Sequence, residues 1–296
     1  MDHAVDLKQF RYFLAVADEG SVTHAARLLG MTQPALSRAI RALETAVGVA
    51  LFVRTPQGLK LTDAGKFMSH DARRLVDSAD AVLTRVARFA HEGRHLRVTA
   101  RGCDVDILER LVSSYNASSS ERTTVRPALV EEHLQAEQIR RGEADVTLIR
   151  DPFEGQGLDS EVVTREARVA VLPDSHALAG RTEIHRSELA GETFPIWPGM
   201  TEYGTAFWTG TDLVPYEWHP GPRVKDAGQF LGSIQLGLCV GFLAASHLPR
   251  HLPNGLVVRP VTGLSPSSVH IAWAVAQVSP DVARFVRHAT ARREKS

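Results

Sequence analysis

The chain has 296 residues, of which 34 are Lys or Arg and 34 are Asp or Glu, and 44% are hydrophobic. This length suggests about two or three domains, and the apolar fraction excludes a chain that is disordered as a whole. Two cysteines cannot form a secreted disulfide framework, and no apolar run reaches the roughly 20 residues of a membrane span. The N-terminal residues lack the apolar stretch of a signal peptide, so we expect a soluble cytoplasmic protein.

The zero net charge conceals an uneven distribution. The stretch from Gly20 to Lys66 holds six basic and two acidic residues, a net charge of +4. Residues 1–92 as a whole carry +2, so the remainder carries −2. Because a local basic excess is the electrostatic mark of nucleic-acid binding, the N-terminal segment is the candidate region for it.

Four helices are predicted in the first 92 residues. They span about residues 7–18, 22–29, 33–47 and 63–91. Ser21, Thr32 and Thr62 each precede one of these helices and suit the N-cap position. Gly30 and Gly48 follow two of them and suit the left-handed position at a helix end.

The third helix has an apolar side and a polar side. At about 100° per residue, Leu36, Ile40, Leu43 and Val47 fall together. The opposite side holds Gln33, Pro34, Ser37, Arg38 and Arg41. Gln and Arg side chains can bond the major-groove edges of adenine and guanine, and Ser can bond a base or a phosphate. Together with the second helix this predicts a helix-turn-helix, and an ordinary helical hairpin with a solvated polar side is the alternative.

Two strand-like runs after the third helix predict a β-hairpin. They cover residues 50–54 and 58–61 around a turn with Pro56. Such a hairpin forms a wing, on which Arg54 and Lys60 are positioned to meet phosphates or the adjacent minor groove. We therefore expect a winged helix-turn-helix domain over residues 1–65.

The fourth helix has apolar residues at alternating steps of four and three. They are Met68, Ala72, Leu75, Ala79, Val82, Val86 and Phe89. A helix of about 30 residues would be about 45 Å long, too long to bury against so small a head. Residues 62–92 are therefore predicted to pair with a second copy, which would supply two heads for a twofold DNA site. A linker helix packed on its own second domain is the alternative.

The N-terminal segment resembles the LysR-type transcriptional regulators. The matching segments are FxxFLAVA at 10–17, GSVTxAAxLL at 20–29, TQPALSRxIxxLE at 32–44, GxxLFxR at 48–54 and LTxAG at 61–65. The resemblance implies a winged helix-turn-helix that reads promoter DNA. The predicted DNA-binding residues are Ser21, Thr23, Thr32, Gln33, Pro34, Ala35, Ser37, Arg38, Arg41, Arg54 and Lys60. Many members carry more basic residues where this chain has Pro56 and Gln57, so a shallower salt dependence is expected.

Strand-like and helical runs alternate after residue 93. Strands are predicted at 96–100, 124–130, 145–149 and 168–172, with helices at 105–116 and 134–141. This alternation indicates an α/β fold with a mostly parallel sheet. The pattern from Gln135 through Gly142 to Val146 resembles the effector domain of the same regulators, which is similar to periplasmic binding proteins. The resemblance implies an effector-binding domain at 94–296, with one lobe at 94–165 and 266–291 and the other at 166–265.

The same resemblance implies a cleft that binds a small molecule. The residues it places there are Arg101, Gly102, Cys103, Glu132, His133, Trp197, Pro198, Met200, Asp226 and Ala227. Arg101 beside a helix start would suit a carboxylate, Trp197 a flat apolar body, and Glu132 an amine or hydroxyl. Seven of the 19 aromatic residues lie within residues 194–218. They form either an aromatic-lined effector site or a packed core with an inter-subunit surface.

Several chemistries have no support in the sequence. There is no GxSxG, P-loop, HExxH or GxGxxG motif, so neither an enzyme nor a cofactor is expected. The His pairs with helical spacing are interrupted by Gly93 and Pro249, so no metal site is expected. Cys103 at a helix start suits a redox sensor paired with Cys239, but a small buried cysteine is the favoured interpretation.

The predicted function is a sequence-specific prokaryotic transcriptional regulator associated with the nucleoid. Its expected partners are double-stranded promoter DNA, a carboxylate or aromatic effector, and further copies of itself. A dimer is expected through the linker helix and a tetramer through the effector domains. A cytosolic small-molecule-binding protein, whose head serves only for assembly, is the alternative.

Overall fold

The computed structural model describes residues 5–56, 58–118, 123–131, 134–153, 155, 157–277 and 279–291. The chain forms two compact units, residues 1–93 with 140–143 and residues 94–139 with 144–296. In the described part of the chain, no helix has both the length and the apolar character needed to cross a membrane.

The first unit is a helical head followed by a long helix. Its elements are α1 (Leu7–Glu19), α2 (Val22–Leu28), α3 (Gln33–Val47), β1 (Phe52–Thr55), β2 (Gly58–Leu61) and α4 (Asp63–Glu92). Phe13, Leu36, Leu43 and Leu51 are buried in its core, to which the first turns of α4 add Ala72. The winged helix-turn-helix architecture predicted from the sequence is therefore present.

The second unit contains alternating strands and helices. Its first part consists of β3 (His95–Ala100), α5 (Val105–Ala117), β4 (Thr124–Leu129), α6 (Gln135–Arg140), β5 (Val146–Arg150) and β6 (Leu158–Glu166). Its second part consists of β7 (Arg168–Pro173), β8 (Ile184–His185), β9 (Thr193–Ile196), α7 (Glu202–Thr209), β10 (His219–Arg223), α8 (Ala227–Gln235), β11 (Gly241–Ala244) and β12 (Leu256–Thr262). The chain closes with β13 (Ser267–Ala274) and α9 (Pro280–Thr290).

The strands form two main sheets, ordered β4-β3-β5-β13-β6 and β11-β7-β12-β8. Strand β3 runs parallel to β4 and β5, whereas β13 runs antiparallel to β5 and β6, and β7 runs antiparallel to β11 and β12. The expectation of a mostly parallel sheet is therefore wrong. Strand β6 carries the chain from the first sheet to the second and β13 brings it back, so the two pair in opposite directions, with Ser267 opposite Glu166.

Candidate functional site

The turn between α2 and α3 is closed by local hydrogen bonds. The Ser21 hydroxyl accepts a hydrogen bond of 3.3 Å from the backbone N–H of His24 and caps α2. The backbone N–H of Met31 donates to the carbonyl of Ala26, and Gly30 has the left-handed φ of 62° that this turn requires. Ser21 therefore has a capping role, and Thr23 on the first turn of α2 is exposed.

Helix α3 buries its apolar side in the head and exposes its polar side. Leu36, Ile40 and Leu43 are buried. On the other side Thr32, Gln33, Pro34, Arg38 and Arg41 are exposed, and Ala35 and Ser37 are half-buried. Val47 was expected in the core but is 41% exposed, because it lies in the last turn of α3, beyond the buried residues.

The polar side of α3 is partly ordered by its own hydrogen bonds. The Gln33 amide donates to Ser37 Oγ at 2.9 Å, and Arg41 Nε donates to the Ser37 carbonyl at 3.3 Å. Thr32 occupies the N-cap position, but its hydroxyl makes no capping hydrogen bond. Arg38 has no carboxylate partner among the described residues. The hydroxyl and the guanidinium are thus available to an external acceptor.

The wing carries its two cations on opposite sides. Strands β1 and β2 pair with Arg54 opposite Leu59 and Val53 opposite Lys60. Because side chains alternate along a strand, Arg54 shares a side with Leu59, and Lys60 lies on the other. Both are exposed, and within the described residues neither has a carboxylate partner. Pro56 lies in the turn, and Gln57 lies outside the described residues.

Three carboxylates of the first unit are engaged in contacts between its elements. Asp18 pairs with Arg73 at 2.6 Å, and Asp80 accepts a hydrogen bond of 3.0 Å from Arg11. Glu44 Oε1 accepts hydrogen bonds from the backbone N–H groups of residues 51 and 52, at 2.8 and 3.3 Å. These contacts tie α4 to α1 and the wing to α3, and none of these three carboxylates pairs with a cation of α3 or of the wing.

The apolar series on α4 divides into two parts. Ala72 is buried and Met68 half-buried within the core of the head, because the first turns of α4 complete that core. Ala79 is half-buried. Leu75, Val82, Val86 and Phe89 are exposed, by 53%, 48%, 63% and 61% respectively. These four, together with Ala79, form a stripe along α4, hereafter the α4 stripe.

In the second unit, the segment after β3 forms a tight turn before α5. Gly102 and Cys103 are exposed within it, and Arg101 is buried, with its Nε 3.5 Å from the Asp104 carboxylate. The interpretation of Cys103 as a small buried cysteine is therefore wrong, since the residue is exposed in this turn. Cys239 is the buried one, and burial raises the pKa of its thiol to about 11.

Sequence reasoning missed a buried charge cluster beside this turn. Arg150, at the end of β5, lies 2.7 Å from both Asp104 and Glu166 and donates to the hydroxyls of Ser267 and Ser246 at 3.0 Å. Because Ser246 follows β11, the cluster joins the two sheets. An arginine at the end of the strand-like run Val146–Ile149 was the available signal, since a buried charge needs a partner.

Opposing effects act on the carboxyl group of Asp104. Burial alone would raise its pKa, but a hydrogen bond from His247 and the charges of Arg150 and Arg101 outweigh this effect. They hold the pKa well below its usual range, so the group is ionised at neutral pH. Asp104 is thus a fixed negative charge among cationic partners.

The other predicted effector residues lie around the second sheet. Trp197 follows β9 and stacks on Phe230 with ring centroids 5.9 Å apart. Pro198 is exposed and Met200 is half-buried. Asp226 caps α8 by accepting from the Gln229 N–H at 2.8 Å, and Ala227 is exposed at the helix start. Glu132 and His133 lie outside the described residues.

Most of the aromatic residues between 194 and 218 contribute to packing. Phe194 is buried, and Trp208, Tyr216 and Trp218 pack against the same core. Arg168 is fully buried, with its guanidinium 3.8 Å from the ring centroid of Phe207. These contacts favour the packed core over an aromatic-lined effector site.

A cationic helix-turn-helix with a wing, joined to an α/β unit of two sheets, defines a DNA-binding regulator with a ligand-binding domain. Residues 7–66 match the family model described as bacterial regulatory helix-turn-helix protein, lysR family, and residues 90–294 match the LysR substrate binding domain. The chain belongs to the LysR family and is a LysR-type DNA-binding transcriptional regulator. The predicted family, fold class and general function are thereby confirmed.

Individual relatives align along nearly the whole chain. The Hca operon transcriptional activator HcaR of Escherichia coli (strain K12) is 30% identical over 291 residues, which is 95% of this chain and 96% of HcaR. The regulator XapR of the same strain is 27% identical, covering 96% and 97%. Full-length CbnR complexed with its target DNA has a TM-score of 0.54 at 23% identity, covering 98% and 100%. Full-length BenM has a TM-score of 0.53 at 21%, covering 99% of each chain. At these identities the two solved structures support the fold alone.

Proposed function

We propose that this regulator reads a twofold promoter site with α3 in the major groove and the wing beside it. The observation that carries the proposal is the exposed polar side of α3, where Arg38 and the Thr32 hydroxyl are available to DNA. Gln33, Pro34, Ala35, Ser37 and Arg41 complete this surface. A recognition helix contacts bases with its N-terminal residues, which is where these side chains are concentrated.

The remaining DNA contacts come from α2 and the wing. Ser21 and Thr23 at the start of α2 would meet one phosphate strand, beside the helix N-terminus, which favours anions. Arg54 and Lys60 lie on opposite sides of the wing, so we assign them to different backbone segments. Because each head carries few cations, its non-specific affinity for DNA is modest. Two or more heads therefore have to bind DNA together.

The α4 stripe is the dimer contact in this proposal. The exposed apolar side chains of this stripe lie outside the core of the head. They are Leu75, Val82, Val86 and Phe89. A second copy of α4 would bury them as a coiled-coil seam. A tetramer would then form through the effector domains.

The proposed domain boundaries are 1–65 for the head, 62–92 for the linker helix and 94–296 for the effector domain. The two lobes of the effector domain are 94–165 with 266–291, and 166–265.

The effector site lies at the carboxyl ends of the strands of the second unit. Arg101 and the turn with Gly102 and Cys103 suit a carboxylate at one end. The family resemblance also assigns Glu132 and His133 to this site, and both lie outside the described residues. Trp197, Pro198, Met200, Asp226 and Ala227 would contact the rest of the molecule. The effector changes DNA binding if its affinity differs between two arrangements of the tetramer. In this proposal the protein is not an enzyme. It acts in the cytoplasm, on the nucleoid of a prokaryotic cell.

A gel-shift experiment with the full-length protein tests the proposal. DNA that flanks the gene is titrated at several salt concentrations, with random DNA of equal length as the control. We expect a specific shift that weakens as salt rises, because phosphate contacts release counterions. If no specific shift occurs at any salt concentration, the alternative holds, in which the head serves only for assembly of a small-molecule-binding protein.

The effector is sought separately by thermal shift of the same full-length protein. Small carboxylates and aromatic acids are the first set, and Arg101→Ala is the matched variant. A compound that raises the melting temperature of the wild type but not of the variant supports the assigned pocket. Stabilisation of both to the same extent would place the effector elsewhere.

A further inference from the structure

Cys103, Asp104 and His247 bring three different metal-binding groups together. Cys103 Sγ lies 3.8 Å from Asp104 Oδ2, and His247 Nε2 lies 3.4 Å from Asp104 Oδ1. The three ligand atoms all lie within 4.8 Å of one another. Cys103 and Asp104 follow β3 of the first sheet, whereas His247 follows β11 of the second. The cluster therefore joins the two sheets of the effector-binding unit.

The spacing of the three atoms is close to that of a zinc site. Zn²⁺ binds thiolate, imidazole and carboxylate ligands at about 2.0–2.3 Å, so tetrahedral ligands are roughly 3.3–3.8 Å apart. The two distances run to different oxygens of Asp104, Oδ2 for Cys103 and Oδ1 for His247, and each lies at or near this range. The thiol and the imidazole are also within 4.8 Å of each other. Three protein ligands leave a fourth position for water or another ligand.

An ion can reach these groups from solvent. Cys103 is exposed and in no disulfide, while Asp104 is buried and the His247 side chain is only 10% exposed. The thiol thus forms the entrance, and the other two groups form the interior of the site. A thiol is also the ligand that distinguishes zinc-like ions from Mg²⁺ and Ca²⁺, which prefer oxygen.

The surrounding charges are balanced before an ion binds. Arg101 and Arg150 contribute two positive charges, and Asp104 and Glu166 contribute two negative charges. Binding replaces the thiol proton with the metal: Cys103–SH + M²⁺ gives Cys103–S–M⁺ + H⁺. Neutral His247 then carries its ring proton on Nδ1, which leaves Nε2 as the metal ligand. The thiolate formed in this step offsets one of the two new positive charges. The arginines hold Asp104 in place, as outer partners of metal ligands commonly do.

We propose that Cys103, Asp104 and His247 bind a thiophilic divalent ion of the Zn²⁺ type, which acts as an effector by linking the two sheets. The regulatory part rests on the proposed function, whereas the binding site stands without it. His251, four residues after His247, has no part in the site: it is exposed and follows Pro249. The sequence pattern alone could not assign this site, because its ligands lie 143 positions apart.

Binding is measured on the full-length protein after removal of metal with a chelator. Zn²⁺ is titrated by calorimetry, and Cd²⁺ is titrated by ultraviolet absorbance, where a Cd–thiolate bond gives a charge-transfer band. We expect one ion per chain. Cys103→Ser should remove the Cd–thiolate band, and His247→Ala should weaken Zn²⁺ binding by more than about tenfold, the loss that even an outer-shell change can cause.

Matched controls are available for both ligands. Cys239→Ser removes the other cysteine, which is buried, and His251→Ala removes a nearby exposed histidine. Both should bind Zn²⁺ and Cd²⁺ like the wild type. Asp104 is left unchanged because it also holds Arg150. A wild type that binds neither ion, or a Cys103→Ser variant that keeps the Cd–thiolate band, would overturn the site.

A gel shift with and without Zn²⁺ then tests regulation. We expect Zn²⁺ to change the affinity for the flanking DNA in the wild type and in His251→Ala, but not in Cys103→Ser. Ion binding with unchanged DNA affinity would overturn the regulatory part. Ion binding in a protein that shifts no DNA would leave the metal site in place and refute the proposed function instead.

Discussion

Gly65, in the first turn of α4, packs directly against the carbonyl oxygen of Leu51. A Cβ atom on Gly65 would lie 2.2 Å from that oxygen and 2.9 Å from the Leu61 side chain. Thr62 reinforces the junction, since its hydroxyl donates to the Ala50 carbonyl at 2.8 Å and accepts from the Gly65 N–H. The junction between the wing and the linker helix is therefore closed to any side chain at position 65.

Replacing Gly65 by alanine should destabilise the head by about 1–3 kcal/mol, because the obstructing atom belongs to the backbone and cannot move cheaply. The measurement is urea unfolding followed by circular dichroism. Gly232→Ala is the control, since a Cβ at this helical glycine meets nothing within 4 Å. It should be neutral or stabilise by up to about 1 kcal/mol. Equal effects of the two changes would contradict the close packing.

Replacing Arg38 by alanine should cost about 1–3 kcal/mol in binding free energy on the specific site and relax base choice at one position. The reason is the exposed guanidinium on the polar side of α3. Gel shifts on specific and random DNA measure the effect, with Arg74→Ala, an exposed change on α4, as the control. Equal losses on both DNAs would assign Arg38 to a phosphate.

Replacing Val86 by glutamate should shift the protein toward smaller assemblies, since it puts a charge within the α4 stripe. Sedimentation velocity measures the assembly state. Ala87→Glu is the matched control, because Ala87 is exposed on the same helix, about 100° around from Val86. If both variants keep the oligomeric state of the wild type, the α4 stripe is not the dimer contact.

Replacing Asp212 by alanine should destabilise the second unit by about 3–5 kcal/mol, because it leaves the buried charge of Arg168 without its counter-charge. Arg168 Nη2 lies 3.2 Å from Asp212, and its side chain is fully buried. All four tryptophans lie in this unit, so fluorescence follows its unfolding in urea. Asp174→Ala, an exposed change after β7, should have little effect.

A second variant tests the cause of that loss. Arg168→Met combined with Asp212→Ala removes both charges and should recover most of the stability, since an apolar side chain of similar length can replace a buried ion pair. If the double variant is no more stable than Asp212→Ala alone, the loss comes from packing around Asp212 rather than from an unpaired charge.

The head could be predicted closely because its signals are local. Thr32 and Pro34 begin α3, Gly48 ends it, and the apolar residues of α3 recur at helical spacing within one short segment. For the apolar series on α4, the sequence did not indicate which residues are buried and which are exposed. Ala72 and Leu75 fit one periodic pattern, and only the position of the head core decides that the first is buried and the second exposed.

The second unit was harder to predict because its decisive contacts are distant in sequence. Strand β13 pairs with β6 through Ser267 and Glu166, and no local pattern indicates its antiparallel direction. The Arg150 cluster depends on this pairing, since both Glu166 and Ser267 are its partners. The exposed position of Cys103 likewise follows from how the turn leaves β3, which residue type and spacing do not determine.

The two hydrogen bonds that Glu44 accepts from the backbone of residues 51 and 52 limit how this protein can respond to a signal. They join the C-terminal part of α3 to the residues that begin the wing, and so fix the hairpin relative to the recognition helix. In the proposed function, we therefore expect an effector to act on the spacing between two heads rather than on the base contacts of one head. Operators that differ in half-site separation are then the ones that a change of state would distinguish.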